Sequence, residues 1–253
     1  MEHRRWPLGE VHLKVMDLDR EVAFYRTCGL AELDRSPAEA VLGTEEGPLL
    51  RLRQPGDLRP RPAHSSGLHH LALLVPDEAQ LAGFLARAVF SGVPLTGALE
   101  HLVCQSLYLD DPEGNGVEVY ADRPRDTWSW SQGRLMIETR PLDLGHLRVL
   151  GDPSWPGFPP GTRVGHIHLN GSDPGRSRRF YEAAGMAITT ETPPFFCFSW
   201  DGYHHHLGVN TLEGPDPEPV SPEVAGLDAF TICGRPEVPR DLIDPDGILV
   251  RTG

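Results

Sequence analysis

Glu118 lies in the run Gly116–Tyr120, GVEVY, an acid on an otherwise apolar stretch that reads as a strand. A buried carboxylate without a partner is costly, so a cation or a histidine is expected beside it. The chain holds 12 histidines, and several cluster as His69–His70, as His166 and His168, and as the run His204–His205–His206. An acid among imidazoles can hold a divalent metal or move protons. Strand alternation sorts these side chains. It sends His69 and His70 to opposite faces, keeps His166 and His168 on one face, and sets His205 opposite His204 and His206. Tyr108 precedes Glu118 across the turn Asp110–Gly116, and His101 lies shortly before Tyr108.

A repeated module positions these residues. HLKVMDLDREVAFYRTCGL from His12 aligns with HLNGSDPGRSRRFYEAAGM from His168, matching Asp17 with Asp173, Tyr25 with Tyr181 and Gly29 with Gly185. GLHHLALLVPDE from Gly67 aligns with GLDAFTICGRPE from Gly226, and DPEGNGVEVY from Asp111 with DPDGILVRT from Asp244. Such internal repeats indicate architecture before any single residue does. The spacing predicts, in module one, a strand over 11–15, a helix over 18–29 and three short strands over 31–33, 40–43 and 49–53. In module two it predicts a strand over 69–75, a helix over 78–91 and a hairpin over 105–121. In module three it predicts a strand over 165–170, a helix over 175–184 and strands over 195–200 and 204–210. Module four is shorter: 44 residues separate Gly67 from Asp111, but only 18 separate Gly226 from Asp244. The expected class is α+β, tandem βαβββ modules forming two domains with a truncated fourth module. The segments are an N-terminal pair of modules (1–124), a connector rich in tryptophan and proline (125–160), and a C-terminal pair (161–253).

Composition excludes several classes. The net charge of −13 argues against nucleic-acid binding, which calls for a basic patch. The 4 cysteines are scattered without a CxxC pair, against a zinc ribbon or redox dithiol. Neither a signal-peptide core nor an apolar run of membrane-spanning length is found, so a soluble cytoplasmic protein is expected.

VMDLDREVAFY, DPEGNGVEVY and the fourfold βαβββ layout together resemble the vicinal oxygen chelate superfamily of glyoxalases, bleomycin- and fosfomycin-resistance proteins and extradiol dioxygenases. GLHHLALLVPD, LYLDDPEGNGVEVYADRPRDTW, VGHIHLN and GYHHHLGVNT resemble its catechol-2,3-dioxygenase-like branch. The resemblance covers nearly the whole chain. It implies metal ligands at the start of each module's first strand and near the middle of its last, collected on the concave face of a U-shaped sheet.

Here the first-strand positions are Glu10, His70, His166 and Ala229, and the last-strand positions are near Arg51, Glu118, near His205, and Arg251. Module four carries no ligand, so module two must contribute His70 and Glu118. If modules two and three face each other, His166 is the third ligand. The set is then the two imidazoles and one carboxylate of non-haem Fe(II) oxygenases. If modules one and two pair, Glu10 takes that place, and a harder two-carboxylate site suits another divalent ion. His168 competes with His166 but aligns with His12, which favours His166. The implied ion is Fe2+, with Mn2+, Zn2+ or Ni2+ as alternatives.

By the same resemblance His205 is the acid/base residue and Tyr108 hydrogen-bonds a substrate oxygen; His101, seven residues before Tyr108, is a candidate for a further donor. The expected activity is metal-dependent extradiol cleavage of a catechol-type aromatic with O2. The alternatives are a glyoxalase-like isomerase or lyase with Zn or Ni, and a non-catalytic small-molecule-binding protein. The shortened module four can expose a sheet edge, which suggests a homodimer.

Overall fold

The computed structural model describes residues 8–212, 221–234 and 241–252. Module one comprises β1 (Leu8–Lys14), α1 (Leu18–Cys28), β2 (Ala31–Arg35), β3 (Glu39–Thr44) and β4 (Gly47–Arg53). Module two comprises β5 (Gly67–Leu74), α2 (Glu78–Ser91), β6 (Gly97–Glu100), β7 (Cys104–Asp110) and β8 (Gly116–Asp122). The connector holds three two-residue strands, β9 (Trp130–Ser131), β10 (Arg134–Leu135) and β11 (Arg140–Pro141), and the short helix α3 (Leu144–Leu150). Module three comprises β12 (Arg163–Asn170), α4 (Pro174–Ala183), β13 (Ala187–Thr192), β14 (Phe195–Ser199) and β15 (Leu207–Asn210). Module four keeps β16 (Gly226–Ile232), β17 (Leu242–Ile243) and β18 (Leu249–Thr252). The class is α+β as expected, with β6, β9, β10, β11, α3, β13 and β17 added to the elements read from the sequence.

Helix starts follow the repeat. The Asp17 and Asp173 side chains accept from the backbone N–H groups of Arg20 and Arg176, satisfying donors that a first turn leaves unpaired. α1 stops at Gly29, whose φ of 113° favours glycine.

The modules do not pair in chain order. One sheet runs β17-β18-β16-β1-β4-β3-β2, joining modules one and four. The other runs β11-β6-β7-β8-β5-β12-β15-β14-β13, joining modules two and three. The expected N-terminal pair 1–124 and C-terminal pair 161–253 are therefore each divided between the two sheets. A first strand has two edges. β5 gives one to β8 of its own module and the other to β12, while β1 is left to pair with β16. The long connector gives module three the reach to return beside module two.

Two matched latches tie the sheets together. Tyr25 on α1 donates to Asp111 at 3.0 Å, and Tyr181 on α4 donates to Asp244 at 2.8 Å. The same turns cap the helix entries: Glu113 accepts from Met16 N and Asp17 N, and Asp246 from Ser172 N. Modules one and two thus touch through this turn and through α2 against α1, where Arg87 donates to the Thr27 and Arg26 carbonyls, and among the described residues their strands lie in different sheets. Trp155 fills the space between α1 and α2, against Phe84 and Phe158, with its indole N–H on Gln80. Trp128 packs on Tyr203 and His204, whereas Trp130 is exposed.

Candidate metal centre

Two strand irregularities aim the histidines. Across β5 and β12, His70 stands opposite His168 and Leu68 opposite Leu169, which leaves His69 as an extra residue in β5. Further along, Ala72 stands opposite His166 and Leu73 opposite Val164, leaving Gly165 extra in β12. Each extra residue switches the side-chain parity of its strand. Leu68, Leu71 and Leu73 therefore all enter the core, as do Val164, Ile167 and Leu169, while His70 and His166 leave by the other face. A Cβ on Gly165 would fall on the Tyr120 hydroxyl, 2.6 Å from its Cζ, so this position has no room for a side chain.

Strict alternation fails at the first irregularity. His69 does not turn to the opposite face: its Nδ1 lies 2.8 Å from His70 Nδ1, and its ring lines the same cavity. That contact bears on His70. A proton shared between the two Nδ1 atoms leaves His70 Nε2 available as a donor atom.

His70 Nε2 and His166 Nε2 each lie 2.9 Å from Glu118 Oε2, and 3.3 Å from each other. All three residues are buried, Glu118 at 2% exposure. Ligands adjacent on an octahedral ion at about 2.1 Å are about 3.0 Å apart, so this triangle fits a face of such a site. His70 comes from β5, Glu118 from β8 and His166 from β12, three adjacent strands of one sheet.

Protonation matches the geometry. Burial opposes charge on Glu118, but the charge and hydrogen bond of His166 and those of His70 outweigh it and hold the carboxyl well below its usual range. Burial pushes His166 down to about 4, against the pull of Glu118. Burial, then neighbouring imidazoles, puts His168 and His205 well below the usual histidine range. An ionised acid and a neutral imidazole are the forms that bind a cation.

The rival ligands lie elsewhere. His168 groups with His69 and His70, not with Glu118. Its ring packs over Gly208 and against Phe195. Glu10 is on the other sheet, 2.9 Å from Arg51, which also holds Glu39 at 2.5 Å. On the face of β1 that corresponds to the metal triangle, the charge partner is the protein's own guanidinium. His12 there is lowered to about 4 by burial, then by Arg251 and Arg51.

The remaining sequence candidates border the triangle. Tyr108 pairs directly with Glu118 across β7 and β8, so the hairpin puts both on one face. Burial and the Glu118 charge raise its pKa well above the usual phenol value. His101 Nε2 is 3.0 Å from the Tyr108 hydroxyl, and Thr139 Oγ1 is 3.2 Å from His101 Nδ1. Burial lowers the His101 pKa. His205 packs its ring 4.1 Å from that of His166. The His204–His206 run precedes β15 and does not belong to it, contrary to the strand expected over 204–210. His204 and His206 are fully buried.

These residues open onto a cavity of about 730 Å³ whose apolar wall includes Leu99, Val103, Leu109, Ile137, Phe195 and Leu212. Among the described lining residues there is neither a lysine nor an arginine. The connector closes one side. β11 pairs with β6, and the Leu135 carbonyl accepts from Thr190 on β13, so residues 135–141 bridge the two ends of the sheet. Thr139 and Ile137 reach the cavity only through this bridge, and sequence spacing carried no signal for either.

Residues 8–119 match the Glyoxalase/Bleomycin resistance protein/Dioxygenase superfamily. A catechol-2,3-dioxygenase of Bacillus subtilis (strain 168) is 34% identical over 250 residues, covering 95% of this chain and 87% of that protein. Among solved structures, a putative dioxygenase from Bacillus subtilis subsp. subtilis str. 168 superposes with a TM-score of 0.60 at 14% identity, covering 97% of this chain and 84% of that one. Glyoxalase I from Zea mays gives a TM-score of 0.56 at 16% identity, covering 97% and 91%. At those identities the structures share the fold alone.

Proposed function

This chain belongs to the glyoxalase/bleomycin-resistance/dioxygenase superfamily, and on that premise we propose that it is an Fe2+-dependent extradiol dioxygenase that opens the ring of an uncharged aromatic diol with O2. The observation that carries this reading is the convergence of His70 Nε2, His166 Nε2 and one oxygen of Glu118. Two imidazoles and one carboxylate are the donor set of non-haem Fe(II) oxygenases. The ion, when bound, would supply the electron path between the diol and O2. The two-carboxylate alternative loses its second acid, because Glu10 is held by Arg51 on the other sheet.

The surrounding residues have roles that follow from their contacts. Tyr108 keeps its proton at neutral pH. With Thr139 donating to His101 Nδ1, His101 carries its proton on Nε2 and donates to the Tyr108 oxygen, which leaves the phenol O–H to hydrogen-bond a diol oxygen. His205 is neutral and lines the cavity, placed to accept and return a proton during ring opening. Among its described residues the wall offers neither lysine nor arginine to a carboxylated substrate, for which burial without a partner is costly. A single aromatic ring occupies a cavity of about 150 Å³, so this one admits a substituent as well.

The test is anaerobic loading with Fe2+, addition of catechol, then admission of air. The expected outcome is stoichiometric O2 uptake with a yellow ring-fission product, lost in His70→Ala and in Glu118→Gln. Tight iron binding without O2 uptake on catechol, 3-methylcatechol or 3-phenylcatechol would overturn the proposal.

A further inference from the structure

Glu118, Tyr120 and Asp122 alternate along β8 and so share one face. Glu118 belongs to the metal triangle. Asp122, at the far end of the same row, has no part in it. It sits instead behind His205. Asp122 Oδ1 lies 3.0 Å from His204 Nε2, and His204 Nδ1 lies 2.7 Å from His205 Nδ1. The Tyr203 hydroxyl donates to the same Asp122 oxygen at 3.0 Å and is itself 2.7 Å from the Tyr120 hydroxyl.

Starting from a carboxylate at Asp122 and a neutral imidazole at His204, these contacts fix one proton arrangement. An ionised carboxylate only accepts, so His204 carries its proton on Nε2. A neutral imidazole has one proton, so His204 Nδ1 is bare and accepts from His205 Nδ1–H. His205 Nε2 is then the nitrogen without a proton, on a ring that lines the cavity. We propose that Asp122 and His204 are positioning residues that fix the tautomer of His205, presenting its Nε2 to the substrate as a base. This rests on the assignment of His205 above. Both positioning residues act through His205, and neither lines the cavity.

The contrary arrangement would make His205 an acid before any proton has been taken. Asp122→Asn tests the difference. An amide turned to donate to His204 Nε2 moves the His204 proton to Nδ1, reverses the His204–His205 bond and leaves His205 Nε2 protonated. Acid–base steps of this kind contribute about 10²–10⁴-fold. The expected result for the iron-loaded protein is a fall in kcat of about a hundredfold or more. KM for catechol and iron content should stay within about threefold, and Asp122→Glu should recover most of the loss. A merely structural role would move KM, iron content and kcat together and would gain nothing from Asp122→Glu.

Asp122→Asn with kcat near that of the unsubstituted protein overturns the proposal, and so does a parallel loss of iron. His205→Ala separates the two levels. If His205→Ala is inactive while Asp122→Asn is not, the tautomer relay alone falls. If His205→Ala cleaves at the original rate, the role of His205 falls and the relay with it.

Discussion

Binding of Fe2+ to the metal-free protein is expected to raise its unfolding temperature, and the pattern of variants that lose this rise distinguishes His166 from His168. A ligand that binds only the native state stabilises it by about 2.7 kcal/mol at one hundred times its Kd. For a chain of this size, each kcal/mol moves Tm by about 2–4 °C, so the rise is roughly 5–10 °C. The three donor atoms lie 2.9, 2.9 and 3.3 Å apart, so loss of any one leaves a two-ligand site. His70→Ala, Glu118→Gln and His166→Ala should each remove most of the rise, whatever they do to the metal-free Tm. His168→Ala should keep it, because that ring groups with His69 and His70 and not with Glu118. The measurement is anaerobic thermal unfolding, followed by circular dichroism, with and without Fe2+. A rise that survives His166→Ala and vanishes in His168→Ala would refute the assignment of His166 as the third ligand. Absence of any rise in the unsubstituted protein would refute the metal site itself.

Acid should weaken the metal-free protein well above the carboxylate range. His166 titrates near 4 when folded and near 6.5 when unfolded, so between those values the unfolded chain binds more protons and stability falls as pH falls. At about 1.36 kcal/mol per unit this amounts to roughly 3 kcal/mol across the window. The depressed Glu118 adds a loss of the same sign below its unfolded pKa. Urea unfolding at pH 7 and pH 4.5 measures the fall, and a flat profile would contradict the burial argument. Gly165→Ala should cost about 1–3 kcal/mol by overpacking against Tyr120 and should also weaken Fe2+ binding, since His166 is the next residue; unchanged stability would mean that β12 is not held against Tyr120 there. Tyr25→Phe should cost about 1–3 kcal/mol, because it strips a donor from the buried Asp111. Denaturant titration checks this, and no change would show that the module-one latch does not carry load.

Much of the fold was readable along the chain. The spacing of Leu81, Phe84, Leu85 and Ala88 places α2 at Glu78–Ser91 as found, and the repeated Asp17 and Asp173 mark two helix starts that their side chains cap. Tyr108 and Glu118 were readable too, because a hairpin with a defined turn fixes which residues stand opposite each other. His69 was misread because alternation assumes an unbroken ladder, and one extra residue in β5 cancels it. The position of the histidine run was also misread: 204–206 precede β15, and the His204 ring is held by Asp122 from another module.

Local pattern thus determined the modules, their turns and the residue types fit for a cation, since helix caps, hairpin registers and apolar periods depend on near neighbours. Which modules share a sheet was decided only by tertiary structure. β5 has two free edges in sequence terms, and its choice of β12 sets whether Glu118 meets His166 or Glu10. Edge pairing is a contest between distant segments with equivalent backbone donors and acceptors, and nothing within either segment names its partner.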